Sequence, residues 1–157
     1  MKRKLCLLAA LLLLLSACSA PAPEGNWNVY FPSSAYLDTP ALQAELRTLS
    51  PAPSPDELLN VLLNGPTSSD LFNPFPEALF LRSWSLKNGV LILNLSEQYS
   101  ALSGIHLTLA DYSIVMTMCQ LPDVDTVTIS VPDSSLFARH RQTLSPNDIL
   151  LDNLLLP

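Results

Sequence analysis

The chain has 157 residues, 14 acidic against 8 basic, for a formal net charge of −6, and only four glycines. That length suits one domain, and the acidity repels nucleic acid and anionic headgroups alike. No glycine-rich loop that cradles phosphate is present.

The chain opens with Lys2, Arg3 and Lys4, followed by an unbroken apolar run from Leu5 to Leu15. The run is too short to span a bilayer core of about 30 Å as a helix, so it reads as the apolar region of an export signal. Leu15-Ser16-Ala17-Cys18 follows and resembles the lipobox of bacterial lipoproteins. That resemblance implies a signal peptide over 1–17 and a mature chain beginning at Cys18, whose thiol carries a diacylglyceryl group. An ordinary secretory signal, or an anchor that is never cut, is the alternative. After Cys18 all 14 acidic residues remain but only five basic ones, a formal charge near −9. Attachment to a membrane must then come from the acyl chains rather than from charge. Of the three cysteines, Cys6 leaves with the signal and Cys18 is taken by lipid. Cys119 alone cannot form an internal disulfide, so the fold rests on its own core.

Residues 18–26 form a Pro-rich tether, and 27–157 form a single domain. Trp27, Val29 and Phe31 alternate with Asn28 and Tyr30, a half-buried strand ended by Pro32. Leu42 to Leu49 fits either a strand or a short helix. Ser54-Pro55-Asp56-Glu57 supplies a capping Ser, Pro at the first helical position and Glu at the third, and Asn64-Gly65-Pro66 ends the helix that follows. Asn88-Gly89 marks a two-residue hairpin turn. It pairs Leu86 with Leu91, Trp84 with Leu93 and Arg82 with Leu95. Phe80, Trp84, Leu86, Leu91, Leu93 and Leu95 then face the core. Thr108-Leu109-Ala110-Asp111 reads as the capping box of a second helix that Pro122 closes. Val127, Ile129 and Val131 point inward from a last strand. Beyond Pro132 the pattern weakens; Ser145-Pro146-Asn147-Asp148 caps a short helix or precedes an edge strand. The fold class is α+β, a two-layer sandwich whose mostly one-sided sheet of about four to five strands is covered by two helices.

These residues resemble one family. Tyr30-Phe31-Pro32-Ser33, the segment Leu58 to Pro66, Leu93-Asn94-Leu95-Ser96, Ser103-Gly104 and Leu109 to Leu121 are similar to the GerMN domain, as is Pro122-Asp123-Val124-Asp125-Thr126-Val127. The resemblance spans Val29 to Val131. It implies an envelope lipoprotein linked to sporulation or spore germination, with a fold like the ring-building motifs of secretion and sporulation channels. It carries no catalytic residues over. One family member has two tandem copies, whereas this chain has one.

The residues themselves offer little chemistry. No G-x-S-x-G elbow accompanies His106 or His140, neither histidine has a second ligand at metal spacing, and Asp123, Asp125 and Asp133 match no calcium loop. No metal, cofactor or catalytic residue is expected. Cys119 reads as an unreactive buried thiol. The outward sheet face is the candidate site: Tyr30, Ser83, Ser85, Ile92, Asn94, Thr126 and Thr128, with Asn28, Val90 and Ser130 beside them and no charge. It reads either as a solvated face or as a surface for docking protein. The function expected is a non-enzymatic interaction module on the extracytoplasmic face of a bacterial membrane. Its partners would be the membrane, through lipid on Cys18, and envelope or sporulation proteins, a second copy included. The alternative is a lipoprotein that binds a cell-wall fragment or small molecule, and a hydrolase is a third reading.

Overall fold

The computed structural model describes residues 24–35, 41–131 and 141–149. Cys18, most of the tether, Asp133, His140 and the tail after Ile149 lie outside them. Among the described residues, six strands and two α-helices follow in order: β1 (Gly25–Pro32), β2 (Leu42–Leu49), α1 (Pro55–Leu63), β3 (Leu81–Lys87), β4 (Val90–Leu95), α2 (Gly104–Met118), β5 (Thr126–Ser130) and β6 (Arg141–Leu144). The α+β class stands. The strands divide into a two-stranded ladder, β1–β2, and a four-stranded sheet in the order β3-β4-β5-β6.

The four-stranded sheet grows from the Asn88-Gly89 turn. Both residues have positive φ, 52° and 79°, as a two-residue turn matched to strand twist requires. A side chain at position 89 would also meet the Asp125 carboxylate, which would have to turn aside, so it is the positive φ that calls for glycine here. Leu86 pairs with Leu91 and Trp84 with Leu93, as the turn dictates. Arg82 does not pair with Leu95. A bulge between Leu81 and Ser83 makes Leu81 the partner of Leu95, because one extra residue on β3 shifts the ladder beyond it. From β4 the chain crosses through α2 and returns as β5, parallel to β4; β6 then adds antiparallel to β5.

Leu91, Leu93, Leu95 and Val127 point to the helices and are fully buried among Leu58, Leu59, Leu62, Ile114, Val115 and Met118. The β3 side of this face departs from expectation. Trp84 and Leu86 are 39% and 38% exposed and Phe80 is 52% exposed, because β3 is the sheet edge and the core closes over β4 and β5.

Two helix starts also differ from their sequence pattern. Ser54 caps α1, accepting the Glu57 N–H, but the Glu57 carboxylate does not return to Ser54. It accepts from the backbone and hydroxyl of Ser50 instead, fastening the end of β2 to the helix. Helix α2 begins a turn before Thr108, at Gly104. Thr108 then lies inside the helix and bonds back to the Gly104 carbonyl. Asp111 is therefore no cap. The helix is buried nearly all round. One side meets the sheet and α1; another covers the open edge of β1, where Thr117 Oγ1 accepts the Tyr30 N–H and Gln120 Oε1 accepts the Asn28 N–H. With that edge taken by helix side chains, β1 has no room to join the larger sheet.

Candidate functional site

The sheet face turned away from the helices is built by strand alternation. Partner registers place Ser83 opposite Asn94 and Ser85 opposite Ile92, and Ile92 and Asn94 beside Thr128 and Ser130. Ser83, Ser85, Ile92, Asn94, Thr126 and Thr128 thus share one face. Tyr30 does not join them. Its strand belongs to the other ladder, and its side chain packs against a small cluster around Leu42 and Leu109. Asn28 is likewise held by Gln120.

The face is also less open and less neutral than its sequence suggests. Thr128 is only 3% exposed, and its hydroxyl is shared with Thr143 of β6 at 2.7 Å. The Asn94 carboxamide donates to Ser83 at 2.9 Å. These cross-strand bonds hold the polar side chains flat. Register puts Lys87 opposite Val90 and Arg141 opposite Ser130, so a cation stands at each of two corners. Between them the face is uncharged: hydroxyls, one carboxamide, and the half-buried Val90 and Ile92.

Behind the sheet, one buried polar pair went unread in the sequence. Asp111 on α2 is 5% exposed and accepts the hydroxyl hydrogen of Tyr99 at 2.5 Å. Tyr99 lies in a 3-10 turn, Glu97–Ala101, between β4 and α2. Burial pushes the Asp111 carboxyl up to about 6 against the downward pull of that hydrogen bond. Burial first, then the charge of Asp111, raises the Tyr99 phenol well above its ordinary range. Asp111 also borders a cleft of about 370 Å³, together with Thr108, Tyr112, Gln142, Leu144 and Asp148. Across it, Asp148 accepts from the backbone N–H and hydroxyl of Ser145, which holds its carboxyl below the usual carboxylate value. A second cleft of about 410 Å³ lies between α1 and the segment before β3, lined by Asn60, Asn64, Asn73, Phe75 and Glu77.

The remaining candidates stand apart. His106 is exposed in the first turn of α2. Cys119 is half-buried, and burial, then the charge of Asp125, pushes its thiol up to about 11, far from the thiolate that reacts. Among the described residues no group of three or more His, Cys, Asp or Glu is placed to hold a metal ion.

The family described as Germane, sporulation and spore germination, matches residues 28–136. No curated protein matches the chain by sequence. Among solved structures, the tandem GerMN domains of the sporulation protein GerM from Bacillus subtilis are similar with a TM-score of 0.59 at 19% identity, over 83% of this chain and 47% of that one. The first GerMN domain of the same protein is similar with a TM-score of 0.54 at 16% identity, over 78% of this chain and 95% of that one. The chain spans about half the length of the tandem structure. At these identities the likeness is one of fold.

Proposed function

The chain belongs to the Germane family of sporulation and spore germination, and on that footing we propose that it is a lipid-tethered, non-enzymatic docking module of the bacterial envelope. In this reading Cys18 holds it at the extracytoplasmic face of the membrane. The partner, an envelope or sporulation protein or a second copy of the chain, meets the outward face of the four-stranded sheet.

The observation that carries the reading is the face itself. A filled core backs it, with Leu91, Leu93 and Leu95 fully buried beneath, so the surface is stiff before any partner arrives. On it Thr128 is already bonded to Thr143 and Asn94 to Ser83, which lowers the cost of removing water from those four side chains. Val90 and Ile92 add apolar area, while Lys87 and Arg141 stay at the rim, where charges are tolerated. An interface core depleted of charge with a polar rim has this composition.

The test places charge on the face without touching the buried Thr128. Ser85→Glu with Ser130→Glu should abolish membrane-proximal crosslinks to partners while leaving the thermal melting temperature within about 2 °C of the parent, since surface changes rarely exceed about 0.5 kcal/mol. Crosslinks that persist unchanged in the doubly charged variant would remove this face from the function.

A second reading, a module that binds a cell-wall fragment or small molecule, is favoured by the Asp111 cleft. A buried carboxylate bordering an opening of about 370 Å³ offers both shape and a polar anchor. Thermal shift on adding soluble cell-wall fragments, lost in Asp111→Asn and retained in Ser85→Glu with Ser130→Glu, would put the function in the cleft instead.

A further inference from the structure

Two of the five basic residues that follow Cys18 fall on one strand, β3. As an edge of the sheet it is exposed from Arg82 to Lys87. Edge strands are ordinarily blunted by charge, proline or a covering segment. This one has its bulge and its cations, yet it also displays Trp84 and Leu86, with Phe80 just before it. Aromatic rings with aliphatic neighbours and flanking Lys or Arg suit the water–bilayer boundary, where rings settle at headgroup level and cations meet phosphates. The carboxylates in contact with the hairpin are Asp56, which accepts the Trp84 indole hydrogen, and Asp125 at the Gly89 turn. In the chain that follows Cys18, of net charge near −9, this strand itself carries two cations and no carboxylate, which eases its approach to lipid phosphates.

Position agrees with composition. The chain enters the domain at Gly25, packed on Ser50 and Pro51. Trp27 donates to the Ser50 carbonyl, and Ser50 donates to Glu57 in the first turn of α1. That same turn holds Asp56, the partner of Trp84. The tether's point of entry and the exposed indole thus meet at one helix end. Six residues separate Cys18 from Gly25, a reach of roughly 25 Å at full extension.

We propose that β3 is the membrane-facing edge of the lipid-anchored chain, with Phe80, Trp84 and Leu86 at headgroup level and Arg82 and Lys87 on lipid phosphates. The proposal rests on tethering at Cys18, part of the reading above. It stands the sheet on edge, so that the outward face turns to neighbours in the plane of the membrane.

The test bypasses cellular lipidation, so a failure of tethering and a failure of docking are told apart. The chain beginning at Cys18 is coupled by that thiol to maleimide lipid in vesicles of phosphatidylglycerol and phosphatidylethanolamine; the hindered Cys119 thiol stays unreacted. Amide exchange across Leu81–Lys87 should slow at least threefold on coupling, with the rest of the sheet unchanged. In a Trp27→Phe chain, brominated lipid should quench Trp84 by about half, and Arg82→Glu with Lys87→Glu should restore most of the emission. Unaltered β3 exchange in the fully coupled chain would overturn the proposal. So would slowing that appears without vesicles and grows with protein concentration, which would assign the edge to a second copy.

Discussion

Asp111 holds a charge where the fold would be steadier without one. Its carboxyl titrates at about 6 in the folded chain and at about 3.9 when unfolded, so the folded state binds the proton more tightly. The associated stability is fully present below about pH 4 and is lost as pH rises through 6. A difference of that size between the two states corresponds to about 3 kcal/mol. Asp111→Asn keeps an oxygen for the Tyr99 hydroxyl and removes the buried charge. It should raise stability at pH 7 by on the order of 1–3 kcal/mol and flatten its dependence between pH 4 and 6, measured by urea unfolding at several pH values. A loss of stability at pH 7 would mean that the Tyr99 bond requires the carboxylate. That a costly group is retained beside a cleft is the kind of local conflict expected where function constrains sequence. It was not legible in the sequence. Thr108 and Asp111 have the spacing of a capping box, and only the turn that α2 adds before Thr108, together with Tyr99 twelve residues upstream, reveals the burial.

At the level of elements, turns and helix caps could be read and edges could not. Asn88-Gly89 fixed the hairpin and two of its three expected pairs, because that dipeptide tolerates positive φ at both places. The Arg82 bulge left no trace in the alternation. Nor did the exposure of β3, since alternation reports which face a residue takes and says nothing of whether a helix reaches it. β6 escaped notice because Gln142 and Thr143 are exposed and polar, and the separate β1–β2 ladder because its edge is satisfied by Thr117 and Gln120, a pairing without periodicity. The contrast between β3 and β4 is measurable. Leu93→Ala, at a fully buried position, should cost about 2–5 kcal/mol. Trp84→Ala, on the same face one strand outward, should cost less, about 2 kcal/mol, low for a tryptophan because more than a third of the residue is already in water. Equal costs in chemical denaturation would show that β3 is covered in solution.

For the molecule as a whole, anchoring turns on charge and on what holds the fold. Nine net negative charges after Cys18 oppose adsorption to an anionic membrane over most of the surface, and β3 alone offers too little to overcome them. No helix among the described residues is long and apolar enough to cross a bilayer. Residence at the membrane in the proposed reading therefore depends on acyl chains, whose burial contributes about 0.8 kcal/mol for each methylene. The core of the described residues is assembled from Val29 onward, so anchoring and folding should separate cleanly. Cys18→Ala should leave an uncleaved precursor or release the chain, abolish labelling by a radioactive fatty-acid precursor, and leave the melting temperature of the isolated domain unchanged. Labelling that persists in Cys18→Ala would place the lipid elsewhere or remove it from the account. Release together with a lowered melting temperature would instead tie the tether to the core, through the Gly25–Ser50 contact where the chain enters the domain.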